Sequence, residues 1–282
     1  MSSNPYLLDL PAVVSFSGGR TSGFMLRHIL DAHGGQPEDL VVSFQNTGLE
    51  HAKTYEFITQ VEDAWDLDLV WLEYTLTEDG KASHRVVDSD SYRSKGEPFS
   101  ELIEKKNYLP NPVARLCTEN LKIRALGQYL KGLPAFAGNY THAIGLRFDE
   151  PKRALRTRGP KGKQEVVCPL YDAEVDQEQV LAWWSEQPFD LELPMGGNLA
   201  GIGVGCFLMG RLQLEELMTA MPEYFDWWVK AEQTPLNSKP EGGQFRSDRP
   251  SYAQMREILD RQGWLFDPNG PTDATIPCMC TD

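Results

Sequence analysis

The sequence lacks any run of about 18 consecutive apolar residues, which is the length that a membrane-spanning helix requires. It also lacks a basic segment followed by an apolar run within its first residues, so no secretory signal is predicted. We therefore expect a cytoplasmic chain with no membrane partner. Hydrophobic residues still make up 41% of the 282 residues, which is enough to build a sizeable globular core.

A disulfide framework and a histidine metal pattern are missing as well. The chain has five cysteines, an odd number, and five histidines without the spacing of metal ligands. A cytoplasmic chain of this size does not depend on disulfides. Its thiols are therefore either buried or used for chemistry.

Positive charge is scarce, since 27 Lys and Arg residues face 41 Asp and Glu residues and the net charge is −14. Such a surface repels phosphates, which argues against a general nucleic-acid-binding protein. One short segment is the exception, and its basic residues are Lys152, Arg153, Arg156, Arg158, Lys161 and Lys163. It fits two interpretations, a solvated mobile loop or a basic lid over a polyphosphate or nucleic-acid substrate.

Apolar runs and helical periodicity alternate along the first 150 residues. The expected strands are residues 12–16, 40–44, 67–74 and 141–147. The expected helices between and after them are residues 21–33, 51–65 and 118–130, the last with Thr118 as its cap. The region 75–112 is predicted to be an irregular, polar excursion with a short helix near 100–106. This order predicts an α/β fold, with an open, mainly parallel sheet and helices on both faces.

The last third of the chain has no strong strand signal. Helical patterns are predicted at residues 176–184, 212–221, 224–232 and 252–262. We therefore expect two parts, a nucleotide-binding α/β domain at residues 1–175 and a mainly helical C-terminal region at 176–282.

The loop after the first strand carries the strongest functional signal. It reads Ser17-Gly18-Gly19-Arg20-Thr21-Ser22 and runs directly into a helix. Glycines let a backbone approach phosphate oxygens closely, and the first amides of a helix are donors that favour an anion. The alternative is an ordinary strand-to-helix turn with a polar cap.

Polar groups also follow the second and fourth strands. Asn46, Thr47, Gly48 and Glu50 come after the second strand, with His51 at the next helix start. The residues after the fourth strand are Gly145, Arg147, Asp149, Glu150 and Arg153. Ligands of open parallel sheets bind beyond the carboxyl ends of the strands, so all three turns are predicted to share one site. The alternatives are turn chemistry at Asn46 and a surface ion pair at Arg147.

Together these segments resemble the PP-loop, or ATP pyrophosphatase, superfamily, and within it the phosphoadenosine phosphosulfate reductase-like family. The matching segments are SFSGGRTS, NTGLEH, Arg115-Leu116-Cys117-Thr118 with Lys122, GLRFDE with Arg153, and Pro169-Leu170. The resemblance implies an adenine nucleotide alpha hydrolase-like fold that binds ATP or a related adenine nucleotide. It also implies that residues 17–22 grip the phosphates and that the Asn46 turn lies near the nucleoside. Lys122, Arg147 and Arg153 would then contact sulfate or phosphates.

The sequence departs from this family at several positions. Arg20 and Thr21 stand where many ATP pyrophosphatases carry Lys and Asp, which leaves a loop-bound Mg²⁺ open. Leu116 precedes Cys117 where cluster-bearing reductases have a second cysteine, and Gly203 stands where they have a partner for Cys206. A standard sulfate-assimilation reductase is therefore not the first expectation.

The cysteines allow three interpretations. Cys117, Cys206, Cys278 and Cys280 together supply the four thiolates that a 4Fe–4S cluster requires, and zinc would accept the same set. Alternatively, Cys280 acts as a thiol nucleophile on a terminal segment, or these thiols are simply structural. Cys168 lies in an apolar run and is expected in the core.

The first functional hypothesis is an enzyme that cleaves ATP between the α and β phosphates and adenylates an acceptor, with sulfur transfer as a further step. Arg20, Lys122 and Arg147 would supply positive charge to that reaction. The alternatives are a sulfonucleotide reductase that uses a terminal cysteine, and a nucleotide sensor or assembly subunit without turnover. The sequence leaves the acceptor open among a small molecule, tRNA, DNA and a protein. It also leaves open whether the chain forms a homo-oligomer.

Overall fold

A seven-stranded, mostly parallel sheet forms the centre of the molecule. The computed structural model describes residues 4–194 and 203–262. The strands are β1 (Ala12–Ser15), β2 (Leu40–Asn46), β3 (Leu69–Leu76), β4 (Ala82–Val87), β5 (Tyr140–Ala143), β6 (Gly159–Lys161) and β7 (Gln164–Val167). Their order across the sheet is β4-β3-β2-β1-β5-β7-β6, and β4 and β6 at the two edges run antiparallel to their neighbours. The predicted α/β class is confirmed.

Ten α-helices are described. Six lie in the first 175 residues: α1 (Arg20–His33), α2 (Ala52–Trp65), α3 (Glu97–Lys106), α4 (Ala125–Lys131), α5 (Pro151–Thr157) and α6 (Pro169–Asp172). Four follow them: α7 (Gln177–Ser185), α8 (Arg211–Ala220), α9 (Asp226–Gln233) and α10 (Tyr252–Gln262). A π-helical segment, Thr118–Arg124, leads into α4, and short 3₁₀ turns occupy Pro134–Ala137 and Pro222–Phe225. No helix in these described ranges is long and apolar enough to cross a membrane.

The central strands are buried on both faces, which explains their unbroken apolar runs. Val14 and Val42 point into the main core, which also contains residues of α1 and α2. Val13 and Val41 point to the opposite face, where they join Leu126 of α4 in a smaller core. The alternation along each strand therefore assigns α1 and α2 to one face and α4 to the other.

Three strands or strand ends differ from the sequence-based expectation. β4 lies inside the stretch predicted to be an irregular excursion, and it was missed because the polar residues Ser83, His84 and Arg85 interrupt its apolar residues. β5 ends at Ala143, so the last residues of the predicted strand 141–147 form the turn that holds Arg147. The basic stretch is not a mobile loop, because it forms α5 and β6 and then turns into β7.

The helix prediction at residues 118–130 is confirmed in extent but not in its cap. Cys117 already has helical dihedral angles, and Thr118 is buried within the π-helical segment. Thr118 therefore does not cap the helix, because the helical path begins before it.

The helical C-terminal region packs directly on the sheet domain. The Trp184 ring of α7 is buried and lies 5.0 Å from the Phe57 ring of α2. A Cβ built on Gly23 of α1 would meet the same indole at 2.8 Å. One continuous cluster of buried residues runs from Leu8 to Met255. The domain boundary at residue 175 remains a prediction.

Candidate functional site

The glycine loop leaves β1 and enters α1 through a left-handed turn. Gly18 has a φ of +77°, and a Cβ there would lie 2.7 Å from Ile58 Cδ1. Gly19 is the N-cap of α1 and gives the helix no side-chain cap. The first amides of α1 have no partner within the helix, so they are suitable donors for an anion.

The hydroxyl groups of Ser17 and Ser22 hold this loop through hydrogen bonds. Ser17 Oγ and Ser22 Oγ lie 2.9 Å apart, and Ser22 Oγ donates to the Gly19 carbonyl at 3.1 Å. The backbone N–H of Ser17 donates to Ser22 Oγ at 3.2 Å. Both serines are buried, so their hydroxyls fix the backbone of the loop.

The sequence predicted Arg20 as a phosphate contact. In the structure its side chain forms hydrogen bonds with residues that follow α7. Its guanidinium donates to both carboxylate oxygens of Asp190 at 2.7 and 2.9 Å, and to the Leu191 carbonyl. The Arg20 carbonyl accepts a hydrogen bond from the Trp184 indole at 2.7 Å. In this arrangement Arg20 positions the loop and does not line the sheet edge with free charge.

Arg147 joins the turn after β5 to the glycine loop. Its side chain is buried, and Nη1 donates to Thr21 Oγ1 at 3.0 Å. Nε donates to Asp149 Oδ1 at 2.9 Å. Thr21 and Arg147 are 126 residues apart in sequence, so this contact shows that two of the three predicted turns meet.

The rest of this turn is built from local ion pairs. Arg153 donates to the Glu150 carboxylate, whose other oxygen lies 3.7 Å from Arg147 Nη1. Gly145 is buried just before Arg147. Two guanidinium groups and two carboxylates therefore lie together beside the glycine loop, which keeps both arginines in fixed positions.

The turn after β2 is a closed hydrogen-bonded network. The Asn46 side-chain oxygen accepts from the Gly48 amide at 2.9 Å and from the Tyr55 hydroxyl at 2.8 Å. The Glu50 carboxylate accepts from Thr47 Oγ1 at 2.7 Å and from Tyr55 at 3.0 Å. Asn46 Nδ2 also donates to the Glu73 carboxylate and to the Arg93 carbonyl, both at 2.7 Å. These buried side chains are therefore satisfied within the protein, and they fix the shape of the turn.

His51 has a similar structural role at the start of α2. Its Nδ1 accepts from the Lys53 amide at 3.0 Å, and its ring stacks on Tyr224 at 4.9 Å. Burial lowers its pKa below the ordinary value. His51 is therefore a helix cap that contacts the C-terminal region.

A cavity of about 240 Å³ opens on the face of the sheet that α4 covers. Lys122 and Thr118 of the π-helical segment line it, together with Thr157 and Lys161 from the basic stretch. Its apolar walls include Ile123, Leu126, Ile144 and Val166. The volume is below the roughly 300 Å³ at which pockets begin to enclose drug-sized ligands. It therefore suits one ring system and not a whole nucleotide.

Hydrogen-bonded side chains from three neighbouring strands lie along this cavity. Ser15 Oγ is 2.8 Å from His142 Nε2, and His142 Nδ1 is 3.1 Å from Gln164 Oε1. Because the amide oxygen only accepts, Nδ1 carries the proton and Nε2 accepts from Ser15. Burial lowers the pKa of His142 to about 4, so the imidazole is neutral near neutral pH.

Sequence reasoning missed this group, although a signal was present. Ser15, Gln45, His142 and Gln164 are polar residues within strand segments and share one face of the sheet with Val13. Such alternation of polar and apolar side chains at the ends of central strands indicates a lined cavity.

The predicted thiol set is only partly within the described residues. Cys117 is half-buried and Cys206 is buried, and both pack against the main core. Cys278 and Cys280 lie outside the described residues. Within the described ranges, no group of three or more His, Cys, Asp or Glu residues is arranged to hold a metal ion. The described residues alone therefore do not fit a cluster or a zinc ion.

Cys168 is fully buried as expected, and burial raises its pKa to about 11.

The family model of the phosphoadenosine phosphosulfate reductase domain matches residues 11–183 of this chain. The chain belongs to this family. The match begins just before β1 and ends within α7, so it includes the sheet and all three turns. Helices α8, α9 and α10 lie beyond the phosphoadenosine phosphosulfate reductase domain match.

One curated relative is the uncharacterized nin region protein ORF290 of Escherichia phage lambda, which is 35% identical over 187 residues. The alignment covers 64% of this chain and 61% of that protein. Among solved structures, the phosphate complex of phosphoadenylyl-sulfate (PAPS) reductase from Candida auris is similar at 18% identity and a TM-score of 0.41. That similarity covers 63% of this chain and 73% of the other.

Proposed function

We propose that this chain is an enzyme that binds an adenine nucleotide at the carboxyl edge of its sheet. In this proposal ATP is cleaved between its α and β phosphates, and the adenylyl group passes to an acceptor. In a further step, a reduced sulfur donor would bond to the adenylated acceptor and displace AMP. The family assignment supports a nucleotide substrate, and the geometry of the loop supports a polyphosphate on it.

The contact between Arg147 and Thr21 carries the proposal. It holds a buried guanidinium against the first turn of α1, where the helix amides favour an anion. The two carboxylates of this turn balance the charges of Arg147 and Arg153, so the positive end of α1 is the charge left for a polyanion, with both guanidinium groups as donors.

The cavity is a suitable place for the nucleobase. It begins at Ser15, two residues before the glycine loop, and its apolar walls enclose a volume that suits one ring system. The neutral His142 and the amides of Gln45 and Gln164 offer uncharged donors and acceptors, which suit the edges of a base.

The proposed chemistry is mainly positioning and charge neutralisation. The acceptor's nucleophilic atom forms a bond to the α phosphorus, and the bond to the bridging oxygen of pyrophosphate breaks. The acceptor's proton passes to solvent, and the loop amides, Lys122, Arg147 and Arg153 stabilise the charge on the phosphate oxygens. Arg20 contributes by fixing the first residue of α1.

The four-cysteine set remains a separate prediction of this proposal. The proposed adenylyl transfer uses no cluster, and the described residues hold two of the four thiols, Cys117 and Cys206. Iron and zinc analysis of anaerobically purified protein, with Cys117→Ser and Cys206→Ser variants, tests it. About four iron atoms per chain, lost in both variants, is the expected result for a cluster.

The test of function measures ATP affinity by calorimetry and products by chromatography. We expect Arg147→Gln to weaken ATP binding by about tenfold or more, since a hydrogen bond to a charged group contributes about 1.5–3 kcal/mol. Arg27→Gln is the matched control, because Arg27 pairs with Asp31 on the exposed side of α1.

Turnover is followed as AMP and pyrophosphate released from ATP. Sulfite released from adenylyl sulfate, with no pyrophosphate from ATP, would instead indicate a sulfonucleotide reductase, which the family assignment also supports. Tight ATP binding without any product over hours, with small molecules, tRNA and DNA supplied in turn as acceptors, would contradict an enzyme and favour a sensor.

A further inference from the structure

The basic segment, residues 152–163, is unlike the rest of the chain. It contains six of the 27 Lys and Arg residues, and no Asp or Glu occurs between residues 151 and 163. The molecule as a whole has a net charge of −14, so this concentration of positive charge requires an explanation beyond solubility. The nucleotide chemistry proposed above uses only Arg153 from it.

The fold places the basic segment beside the candidate site. Its residues form α5 and β6, and β6 is the edge strand of the sheet. Thr157 and Lys161 line the cavity, so the segment continues outward from the nucleotide site. A partner held on this surface would therefore be close to the α phosphate.

Some of the basic side chains are used within the protein and others are not. Arg158 pairs with Asp172 at 2.9 Å, and Arg153 pairs with Glu150. Lys152, Arg156 and Lys161 are exposed and make no ion pair with any of the described residues. Their charge is therefore directed to solvent, where a polyanion would be attracted.

Aromatic and apolar side chains lie among these charges. Phe148 is 45% exposed and Leu155 is 60% exposed. The Phe148 ring is 5.5 Å from the Tyr171 ring, and the Arg158 guanidinium is 5.9 Å from the centre of Tyr171. Arginine and aromatic faces next to exposed lysines are the combination on which unpaired bases stack while phosphates are neutralised.

We propose that the basic segment, with Phe148 and Tyr171, is a docking surface for single-stranded nucleic acid. This inference rests on the proposed function and names the class of its acceptor: a nucleotide within a strand. Single strands are favoured over duplexes because bases in a duplex cannot reach an exposed ring. The strand's phosphates would lie on Lys152 and Arg156, next to the cavity mouth at Lys161.

The test is fluorescence anisotropy with labelled 20-nucleotide single-stranded DNA, single-stranded RNA and the corresponding duplex. We expect the single strands to bind more tightly than the duplex, with an affinity that falls as salt rises.

The double variant Lys152→Glu/Arg156→Glu should weaken single-strand binding by at least about tenfold. It should also reduce the slope of log affinity against log salt by about 1.4, or roughly 0.7 per lost phosphate contact. Phe148→Ala should weaken binding by about fivefold or more.

The matched control is Lys95→Glu/Lys230→Glu, which makes the same charge change at exposed positions outside the basic segment. We expect its affinity for single strands to stay within about threefold of the wild type, because long-range charge is screened at about 0.1 M salt. Thermal unfolding of both double variants checks that each is folded. A Lys152→Gln/Arg156→Gln variant replaces the first if that one is unstable.

ATP calorimetry on the same variants separates the two proposals. Unchanged ATP affinity with lost strand binding is the expected result. ATP affinity lost in Lys152→Glu/Arg156→Glu would overturn the inference and make the segment part of the nucleotide site. Equal binding of polyglutamate, or no binding of single strands by wild-type protein that binds ATP, would also overturn it. Failure of the wild type to bind ATP would instead contradict the proposed function.

Discussion

Gly18 is the residue on which the shape of the glycine loop depends. Its φ of +77° favours glycine, and a Cβ would approach Ile58 and Thr54 to within 2.8 Å. Gly34, the C-cap of α1, has a similar φ of +71° but nothing within 4 Å of a Cβ. Comparing substitutions at Gly18 and Gly34 therefore separates the cost of backbone strain from the cost of steric contact.

We expect Gly34→Ala to reduce the free energy of unfolding by about 1 kcal/mol, which is the cost of the left-handed conformation. Gly18→Ala should cost about 1–3 kcal/mol more, because Ile58 and Thr54 must also move. Urea denaturation measures both values, and ATP calorimetry should show weaker binding for Gly18→Ala alone. Equal costs for the two variants would contradict the close packing of the loop on α2.

His142 makes the stability of the protein depend on pH. Burial lowers its folded-state pKa from 6.5 to about 4. An unfolded chain therefore takes up a proton near pH 6.5, whereas the folded chain keeps the imidazole neutral until about pH 4. This group costs no stability above about pH 6.5, and stability is lost progressively as the pH falls from there towards 4.

The expected loss from this group is between roughly 1 and 3 kcal/mol by pH 4, since one pKa unit corresponds to about 1.4 kcal/mol. His142→Gln removes the titrating group and keeps a polar side chain at the cavity. Urea denaturation at about pH 7 and about pH 5 should show a smaller loss in the variant than in the wild type. The same loss in both would mean that other groups cause the pH dependence.

At the scale of elements, α7 anchors the C-terminal region on α1 and α2. Trp184 is buried, packs against Gly23 and Phe57, and donates to the Arg20 carbonyl. Leu181 on the same helix is 43% exposed and provides a matched control.

We expect Trp184→Ala to reduce the free energy of unfolding by about 3–5 kcal/mol and Trp184→Phe by less. Leu181→Ala should change it by less than about 0.5 kcal/mol, as exposed substitutions usually do. Urea denaturation gives the values. A Trp184→Ala cost below about 1 kcal/mol would show that α7 does not support the sheet domain.

Elements that were predictable from sequence have a local cause. β1, the glycine loop and α1 are adjacent in the chain, and a buried strand, glycines and an amphipathic helix each leave a pattern there. β4 and β6 leave no such pattern in the sequence. They are edge strands that contain polar residues, and each pairs with its neighbour in an antiparallel hairpin. The end of β5 at Ala143 depends on its pairing with β7, which a single strand's composition does not reveal.

Contacts within the candidate site were likewise predictable only where the local sequence gives a signal. The meeting of Arg147 with Thr21 was predictable because both residues follow parallel strands, whose carboxyl ends share one edge. The pairing of Arg20 with Asp190 was not, because it joins residues 170 positions apart and Asp190 has no distinctive local sequence. For the same reason, the polar chain of Ser15, His142 and Gln164 became visible only when three strands were placed side by side.

At the scale of the whole molecule, one core crosses the expected domain boundary. Buried residues from Leu8 to Met255 form a single cluster, and aromatic rings of the C-terminal helices contact the sheet domain. We therefore expect one cooperative unfolding transition and not two. Far-ultraviolet circular dichroism and tryptophan fluorescence should give the same urea midpoint. Two separated midpoints would support independent domains divided near residue 175.

The tie between Arg20 and Asp190 also has a consequence for how the protein is made. The start of α1 is synthesised early, whereas the carboxylate that fixes it and the Trp184 indole beneath it are synthesised more than 160 residues later. A nascent chain on the ribosome can build the first strands and helices, but the contacts that hold Arg20 form only after α7 and Asp190 have left the exit tunnel. If the loop binds phosphates as proposed, that binding would gain the Arg20 contacts only after Asp190 has emerged.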